Sequence, residues 1–528
     1  MVLHNGAYDY PEDIQLNEYD PLNEAFLYPQ TPPDAAPPDY SEPLDALKSS
    51  AASHPQPTAG LPYSTTLNSS GKLGGARLLY FTSVFVSLGV FLFGYDQGVY
   101  SGIITFPAFQ KYFRHPSSAQ IGMVVSVLEL GALILSLTVG YMADRWGRKR
   151  TILLGAGVFI AGGAVQTFTG RSILLLVLGR VVSGLGVGLL SSVIPLYQSE
   201  ISPSHARGRL ACVEFTGNIC GYAASVWIDY SCTFINQNSN LVWRVPLFIQ
   251  CVLGLLLFAG AFFIVESPRW LIGKNDAHGY LVLRLLYADS PETAEREFHS
   301  IKEAILREQT LSPPEQRSYR AMFRTHFRRL VVGCSALLLA QLNGINIISY
   351  YAPLVFAEAG FKGNDALFMA GVNALVYLAS TIPPWFLVDR WGRRPIFISG
   401  ALTMGTCLFL ISLAMWMGGK STPTFVALLV VVYNAAFGYS WGPIGWLYPA
   451  EIYPLSIRAK GVSLSTACNW LFNFIVGQMT PILQETISWR LYLIPGVCCL
   501  VSAVVVFRYF PETKGVDLEE VGSLFDGY

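Results

Sequence analysis

Charge is scarce in this 528-residue sequence: Asp, Glu, Lys and Arg make up 13% of it, against 52% hydrophobic residues. Soluble domains carry about 25% charged residues, so most of this chain cannot face water. A sign imbalance is also missing. Lys+Arg and Asp+Glu stand at 35 each, which excludes the strongly basic balance of a nucleic-acid partner. Paired cysteines are absent. Cys212, Cys220, Cys232, Cys251, Cys334, Cys407, Cys468, Cys498 and Cys499 show no CxxC spacing and fall almost entirely within apolar runs. That pattern predicts small packing residues and argues against a disulfide framework or a metal site. The seven histidines lie in tails and loops, which argues against a buried histidine relay. No apolar run precedes Leu78, so the sequence predicts no signal peptide. Metal-ligand spacing, a nucleophile elbow and a phosphate loop are all missing, so an enzyme is not expected. Gly184, Gly186 and Gly188 sit inside an apolar run with no strand before it, which predicts close helix packing.

Long apolar runs are abundant instead. A bilayer-spanning helix needs roughly 20 mostly apolar residues. Runs cover 78–94, 121–141, 152–168, 173–196, 211–230, 245–265, 330–348, 367–388, 396–417, 424–447, 462–482 and 491–509. The fifth is the weakest because it holds Glu214, Asn218 and Asp229. Their length favours helices over barrel strands of about 10 alternating residues. The expected fold class is an all-α polytopic membrane protein with 12 transmembrane helices.

Five segments follow from the composition. Residues 1–73, rich in Pro, Ser, Asp and Glu, predict a disordered cytoplasmic tail. Residues 74–266 and 329–510 hold six runs each. Residues 267–328 form a polar linker, with amphipathic helices expected over 294–308 and 317–328. Residues 511–528 are a short polar tail. Basic residues cluster in alternate loops: Arg145, Arg148, Lys149 and Arg150; Arg207 and Arg209; the linker; Arg390, Arg393 and Arg394; Arg458 and Lys460. The positive-inside rule puts these loops and both termini in the cytoplasm.

The chain also repeats itself. Ala143-Asp144-Arg145-Trp146-Gly147-Arg148-Lys149-Arg150 returns as Val388-Asp389-Arg390-Trp391-Gly392-Arg393-Arg394-Pro395. Glu200 and Arg207 return as Glu451 and Arg458, and Glu266-Ser267 as Glu512-Thr513. Each pair is offset by about 250 residues, the mark of two related six-helix halves.

With these motifs in place, the chain resembles the sugar porters of the major facilitator superfamily over roughly residues 78–520. The resemblance is carried by Phe93-Gly94-Tyr95-Asp96, the two Asp-Arg-Trp-Gly-Arg loops and Gly179-Arg180. Glu266-Ser267-Pro268-Arg269, Gln341-Leu342-Asn343-Gly344-Ile345-Asn346, Tyr350-Tyr351-Ala352-Pro353, Trp441-Gly442-Pro443 and Pro511-Glu512-Thr513 add to it. The long acidic, proline-rich amino tail resembles fungal members. The resemblance implies the major facilitator fold, no cofactor, a functional monomer, and a sugar substrate moved across the lipid bilayer.

It also implies site residues. Asp96 resembles the proton site of symporting members, with Arg180 as its partner. A charge at membrane depth is costly and marks function, although a static ion pair would use the same residues. Gln341, Asn346, Asn373, Trp446, Asn469 and Asn473 match sugar-ligand or near-ligand positions, and Tyr350 and Tyr351 resemble an outer lid. Interhelical hydrogen bonding is the other use for such amides. Two positions depart from the family pattern: Ala340 replaces a glutamine on the seventh helix, and Phe215, beside Glu214, replaces one on the fifth. These put the ordinary glucose pose in doubt and leave room for another sugar or a polyol. Glu214 either compensates or pairs with Arg180 or a cytoplasmic group.

Arg148, Glu200, Arg207, Glu266, Arg269, Arg393, Glu451 and Arg458 match a cytoplasmic charge network expected to bias a two-state gate. Pro37-Pro38-Asp39-Tyr40 fits a WW-domain ligand and so a ubiquitin ligase partner. The expected function is proton-coupled sugar symport at the plasma membrane. A sugar uniporter on the same site is the alternative, followed by a non-transporting sugar sensor.

Overall fold

A computed structural model of the protein describes residues 75–201, 207–236, 238–311, 319–454 and 457–515, and these contain helices and turns but no strand. The first half comprises α1 (Ala76–Ile103), α2 (Pro107–Tyr112), α3 (Ser118–Ser136), α4 (Val139–Trp146), α5 (Arg148–Thr167), α6 (Ile173–Ile201), α7 (Arg207–Cys232) and α8 (Leu241–Gly260). Between the halves lie α9 (Pro268–Ile272), α10 (Asp276–Leu286), α11 (Pro291–Leu311) and α12 (Tyr319–Thr325). The second half comprises α13 (Phe327–Leu342), α14 (Ile345–Tyr350), α15 (Ala352–Ala359), α16 (Asn364–Ser380), α17 (Pro384–Trp391), α18 (Arg393–Met417), α19 (Thr422–Tyr439), α20 (Trp441–Ile452), α21 (Arg458–Ile487) and α22 (Leu493–Tyr509). Pro37-Pro38-Asp39-Tyr40 and the side chain of Arg207 lie outside the described residues.

Nine stretches among the described residues are long and apolar enough to cross a bilayer. One of them, Arg458–Tyr509, is 52 residues long and consists of α21 and α22, parted where Ser488 takes φ 50°. The bent pair α16 and α17, kinked by 47°, forms a further broken span. Adding α7, whose apolar run is diluted by Glu214, Asn218 and Asp229, fills the twelve runs of the sequence.

Small residues decide how closely these helices approach. Gly94 and Gly221 lie where α1 crosses α7, and a Cβ on either would overlap the Asn218 or Phe91 carbonyl. On α6, a Cβ at Gly184 or Gly188 would meet the carbonyls of Leu128 and Ala132 on α3, and one at Gly186 that of Gly155 on α5. Backbone contact of this kind is how helices associate in a lipid solvent.

The repeat is a structural one. Gly147 precedes α5 with φ 91° and ψ 166°, and Gly392 precedes α18 with φ 90° and ψ 165°. The Glu266 carboxylate accepts the Arg148 and Lys149 backbone N–H groups at 2.9 and 3.2 Å, and Glu512 accepts those of Arg393 and Arg394 at 2.8 and 2.9 Å. A carboxylate at a helix N-terminus satisfies orphan donors and opposes the positive end of the helix dipole.

Two further spans are interrupted. Gly344, at φ 95°, separates α13 from α14. The freed Asn343 carbonyl accepts the Tyr433 hydroxyl at 2.8 Å, and its side-chain oxygen accepts Ser502 Oγ at 2.7 Å. Ser440, at φ −123° and ψ −91°, divides α19 from α20. Irregular backbone at membrane depth is tolerated where protein satisfies it or where it lines a cavity.

Candidate functional site

A cavity of about 1560 Å³ lies between the halves. Its inner end is lined by Gln341, Asn346, Tyr350, Asn469 and Asn473, and its walls include Phe93, Phe215, Ala340, Trp441 and Trp446. It runs out to the face that carries the linker, past Arg148, Glu200, Arg269, Arg393, Glu451 and Arg458. Asp144 and Asp389 at that mouth have side chains 74% and 70% exposed. Typical ligand pockets hold roughly 300–1,000 Å³; a vestibule leading to a polar end accounts for the larger volume.

The polar end is one connected chain. Gln341 Nε2 donates to Asn469 Oδ1 at 2.8 Å, and Asn346 Nδ2 donates to Gln341 Oε1 at 2.6 Å and to Asn473 Oδ1 at 2.8 Å. The Tyr350 hydroxyl lies 3.1 Å from Asn473 Oδ1. Helical spacing explains the grouping: Asn469 and Asn473 are four apart on α21 and share a face, while the break at Gly344 aims Asn346 and Tyr350 at them. Trp446 lies beside this end with its ring 6.4 Å from Trp470, which in turn packs edge-on against Phe93 at 5.1 Å.

Asn373 is placed elsewhere. It is fully buried, is not part of the cavity wall, and neither of its amide atoms has a partner among the described residues. Tyr351 also stays off the cavity; its hydroxyl donates to the Gly477 carbonyl at 2.8 Å.

Beyond Tyr350 the halves close on each other. Tyr350 OH contacts Glu129 Oε1 at 2.8 Å and receives Gln97 Nε2 at 3.0 Å. Gln478 Nε2 donates to the Ala119 carbonyl at 3.0 Å, Ser118 Oγ bonds Glu485, and Tyr222 OH donates to the Ser349 carbonyl at 3.0 Å. Tyr350 thus bridges the two halves, while Tyr351 is tied to α21 through the Gly477 carbonyl. Neither Gln97 nor Glu129 is prominent in the sequence reading. The signal for Glu129 is available there: a carboxylate in the middle of the second apolar run.

Asp96 and Arg180 form a buried pair within the first half. Arg180 Nη1 lies 2.8 Å from Asp96 Oδ1, and its other N–H groups donate to the Val124 and Val125 carbonyls at 3.0 and 2.7 Å. The guanidinium stacks 4.4 Å over the Tyr100 ring. Asp96 Oδ2 has no partner among the described residues, and the pair does not line the cavity. Arg180 therefore pairs with Asp96 and not with Glu214. The Glu214 carboxylate lines the cavity next to Phe215.

At the linker face the charges pair half by half. Arg148 Nη2 meets Glu200 at 2.8 Å, and Arg393 Nη2 meets Glu451 at 2.6 Å. Ser267 and Thr513 hydroxyls donate to these same glutamates at 2.6 and 2.7 Å. Arg458 Nε donates to the Tyr453 carbonyl at 3.1 Å. Burial pushes the Glu266 carboxyl above its ordinary value, against the pull of the Ser267, Lys149 and Arg148 backbone donors.

Membrane-length helices in two repeated halves around a polar-ended central cavity define a secondary transporter of the major facilitator fold. Residues 82–525 match the family described as "Sugar (and other) transporter", and the chain belongs to that family. It is a multi-pass sugar porter and not an enzyme. Among its relatives, the MFS-type transporter criB of Aspergillus cristatus is 33% identical over 461 residues, covering 86% of this chain and 95% of that one. The high-affinity glucose transporter of Kluyveromyces lactis is 31% identical over 473 residues, covering 85% of each. The structure of XylE described as a proton:xylose symporter bound to 6-bromo-6-deoxy-D-glucose superposes with a TM-score of 0.72 at 27% identity, covering 84% of this chain and 98% of that one.

Proposed function

We propose that this protein imports a sugar together with a proton across the plasma membrane by alternating access. The carrying observation is the buried Asp96–Arg180 pair at 2.8 Å, next in sequence to Gln97, the α1 residue that bonds Tyr350. Separating the two would leave Asp96 as an unpaired buried carboxylate, whose charge is costly and is relieved by a proton. XylE, described as a proton:xylose symporter, supports the same reading. The basic loops support a cytoplasmic linker face and cytoplasmic termini, and in this reading the cavity opens inward in this state. The charged rim pairs then steady each half while the halves rock.

Gln341, Asn346, Asn469 and Asn473 are the sugar ligands in this reading, with Trp446 as the apolar wall. Ala340 and Phe215 give apolar surface where two amides would have stood, and Glu214 adds a carboxyl group at the cavity wall. This combination favours a substrate other than glucose in its ordinary pose, a larger sugar or a polyol.

Sugar addition to cells expressing the protein should alkalinise an unbuffered medium, and Asp96→Asn should abolish the alkalinisation. Uptake indifferent both to collapse of the proton gradient and to Asp96→Asn identifies a uniporter instead. A competition panel of hexoses, pentoses, disaccharides and polyols identifies the substrate class.

A further inference from the structure

Tyr350 OH has three polar neighbours and only one proton. Gln97 Nε2 donates into its oxygen at 3.0 Å, while Glu129 Oε1 at 2.8 Å and Asn473 Oδ1 at 3.1 Å stand on its other sides. Asn473 Oδ1 is an amide oxygen and can only accept, because its own Nδ2 is a separate atom. If Glu129 is ionised it also only accepts, so two acceptors compete for a single proton and one close oxygen pair is left unbridged. A protonated Glu129 removes the conflict. Its O–H donates to the Tyr350 oxygen, the Tyr350 proton goes to Asn473, and all three contacts become hydrogen bonds.

Charge points the same way. Glu129 is 1% exposed, and its second oxygen has no partner among the described residues. The charged and titratable groups facing it are Arg180 on α6, Asp96 on α1, Tyr350 on α14 and the adjoining Tyr351, while α21 presents the neutral Asn473. Arg180 is already bonded to Asp96 and to two α3 carbonyls. It balances one carboxylate, and an ionised Glu129 would be a second in the same dry interior.

We propose that Glu129 carries a proton whenever the far-face lid is shut, and that Tyr350 passes this protonation state to the amides of the central site. The proton adds to the carboxylate from water at the far face while the lid is open, and it stays as Tyr350 swings onto α3. Loss of that proton makes the closed lid unfavourable. Only the second clause rests on reading Asn346 and Asn473 as sugar ligands; the first concerns the lid alone and needs no substrate.

The test uses the full chain reconstituted in liposomes, without sugar. Ala340→Cys places a thiol on the cavity wall, and an impermeant thiol reagent added at the far face reads lid opening as labelling above that of the parent. Labelling should rise with pH, at most about tenfold per unit for one linked proton. Glu129→Gln, whose amide can donate as the acid does, should flatten that rise at the low-pH level, and should do so in the Asp96→Asn background as well, where the proton linked to Asp96 is gone. Infrared difference spectra supply a second readout. One component of the protonated-acid carbonyl stretch should be present in wild type and in Asp96→Asn, lost in Glu129→Gln against any bands of Glu214 and Asp229, and shifted in Tyr350→Phe. A Glu129→Gln variant that keeps the wild-type pH rise overturns the proposal. So does a set of acid bands that Glu129→Gln leaves complete, or one in which Tyr350→Phe moves no component.

Discussion

Gly147 and Gly392 show how much one residue can decide here. Both hold φ near 90°, where an L side chain is strained, and the space a Cβ would take is filled by Glu266 and Glu512. Alanine at either site adds a backbone cost of about 1–3 kcal/mol and displaces the carboxylate that caps the next helix. Gly147→Ala and Gly392→Ala should each lower the melting temperature of the purified protein in detergent, by similar amounts because the two sites are built alike. The central amides allow a different expectation. Asn473→Ala removes the acceptor of both Asn346 Nδ2 and Tyr350 OH. Each buried hydrogen bond lost costs about 1–3 kcal/mol, so apparent sugar affinity should fall roughly tenfold or more while surface expression stays near wild type. An unchanged KM for uptake would remove Asn473 from the sugar site.

At the scale of elements, sequence and structure part where helices break. Apolar runs locate the spans because lipid tolerates little else, so their number and order are legible from hydropathy and the basic loops. The run 330–348 gives no sign by hydropathy that it is two helices. Gly344 permits the break, but the partners that stabilise it, Tyr433 and Ser502, come from α19 and α22 and lie far away in sequence. The amide cluster was readable because polar residues in apolar runs stand out. The bond from Tyr350 to Glu129 was not, because it joins two halves whose relation only the fold supplies. Asn373 shows the limit of position matching: the residue type fits, yet the side chain is sealed away from the cavity. Gly344→Val adds a β-branched side chain at φ 95°, directly against Pro495. It should distort or unfold the α13–α14 junction, seen as loss of uptake together with faster limited proteolysis.

For the whole molecule, the far-face closure is a modest set of hydrogen bonds between halves. Gln478 to Ala119 and Ser118 to Glu485 each contribute about 1 kcal/mol. Removing both with Gln478→Ala and Ser118→Ala should shift the closed population about tenfold or more toward the far-face-open form. Faster labelling of Ala340→Cys from that side would show it. Unchanged labelling would mean that Tyr350 and helix packing alone hold the lid.

The rim of this protein is duplicated almost atom for atom, with a glycine turn, a capping glutamate and an arginine–glutamate pair in each half. The interiors share nothing comparable, since one is built around buried ions and the other around amides. Selection can therefore act on cargo and on mechanics separately. Substitutions in the interior redefine what is carried without disturbing the bearings on which the halves turn, whereas a change at the rim unbalances one bearing against its twin. A lineage built on this plan can acquire new substrates by small interior steps, each taken on a machine that still runs.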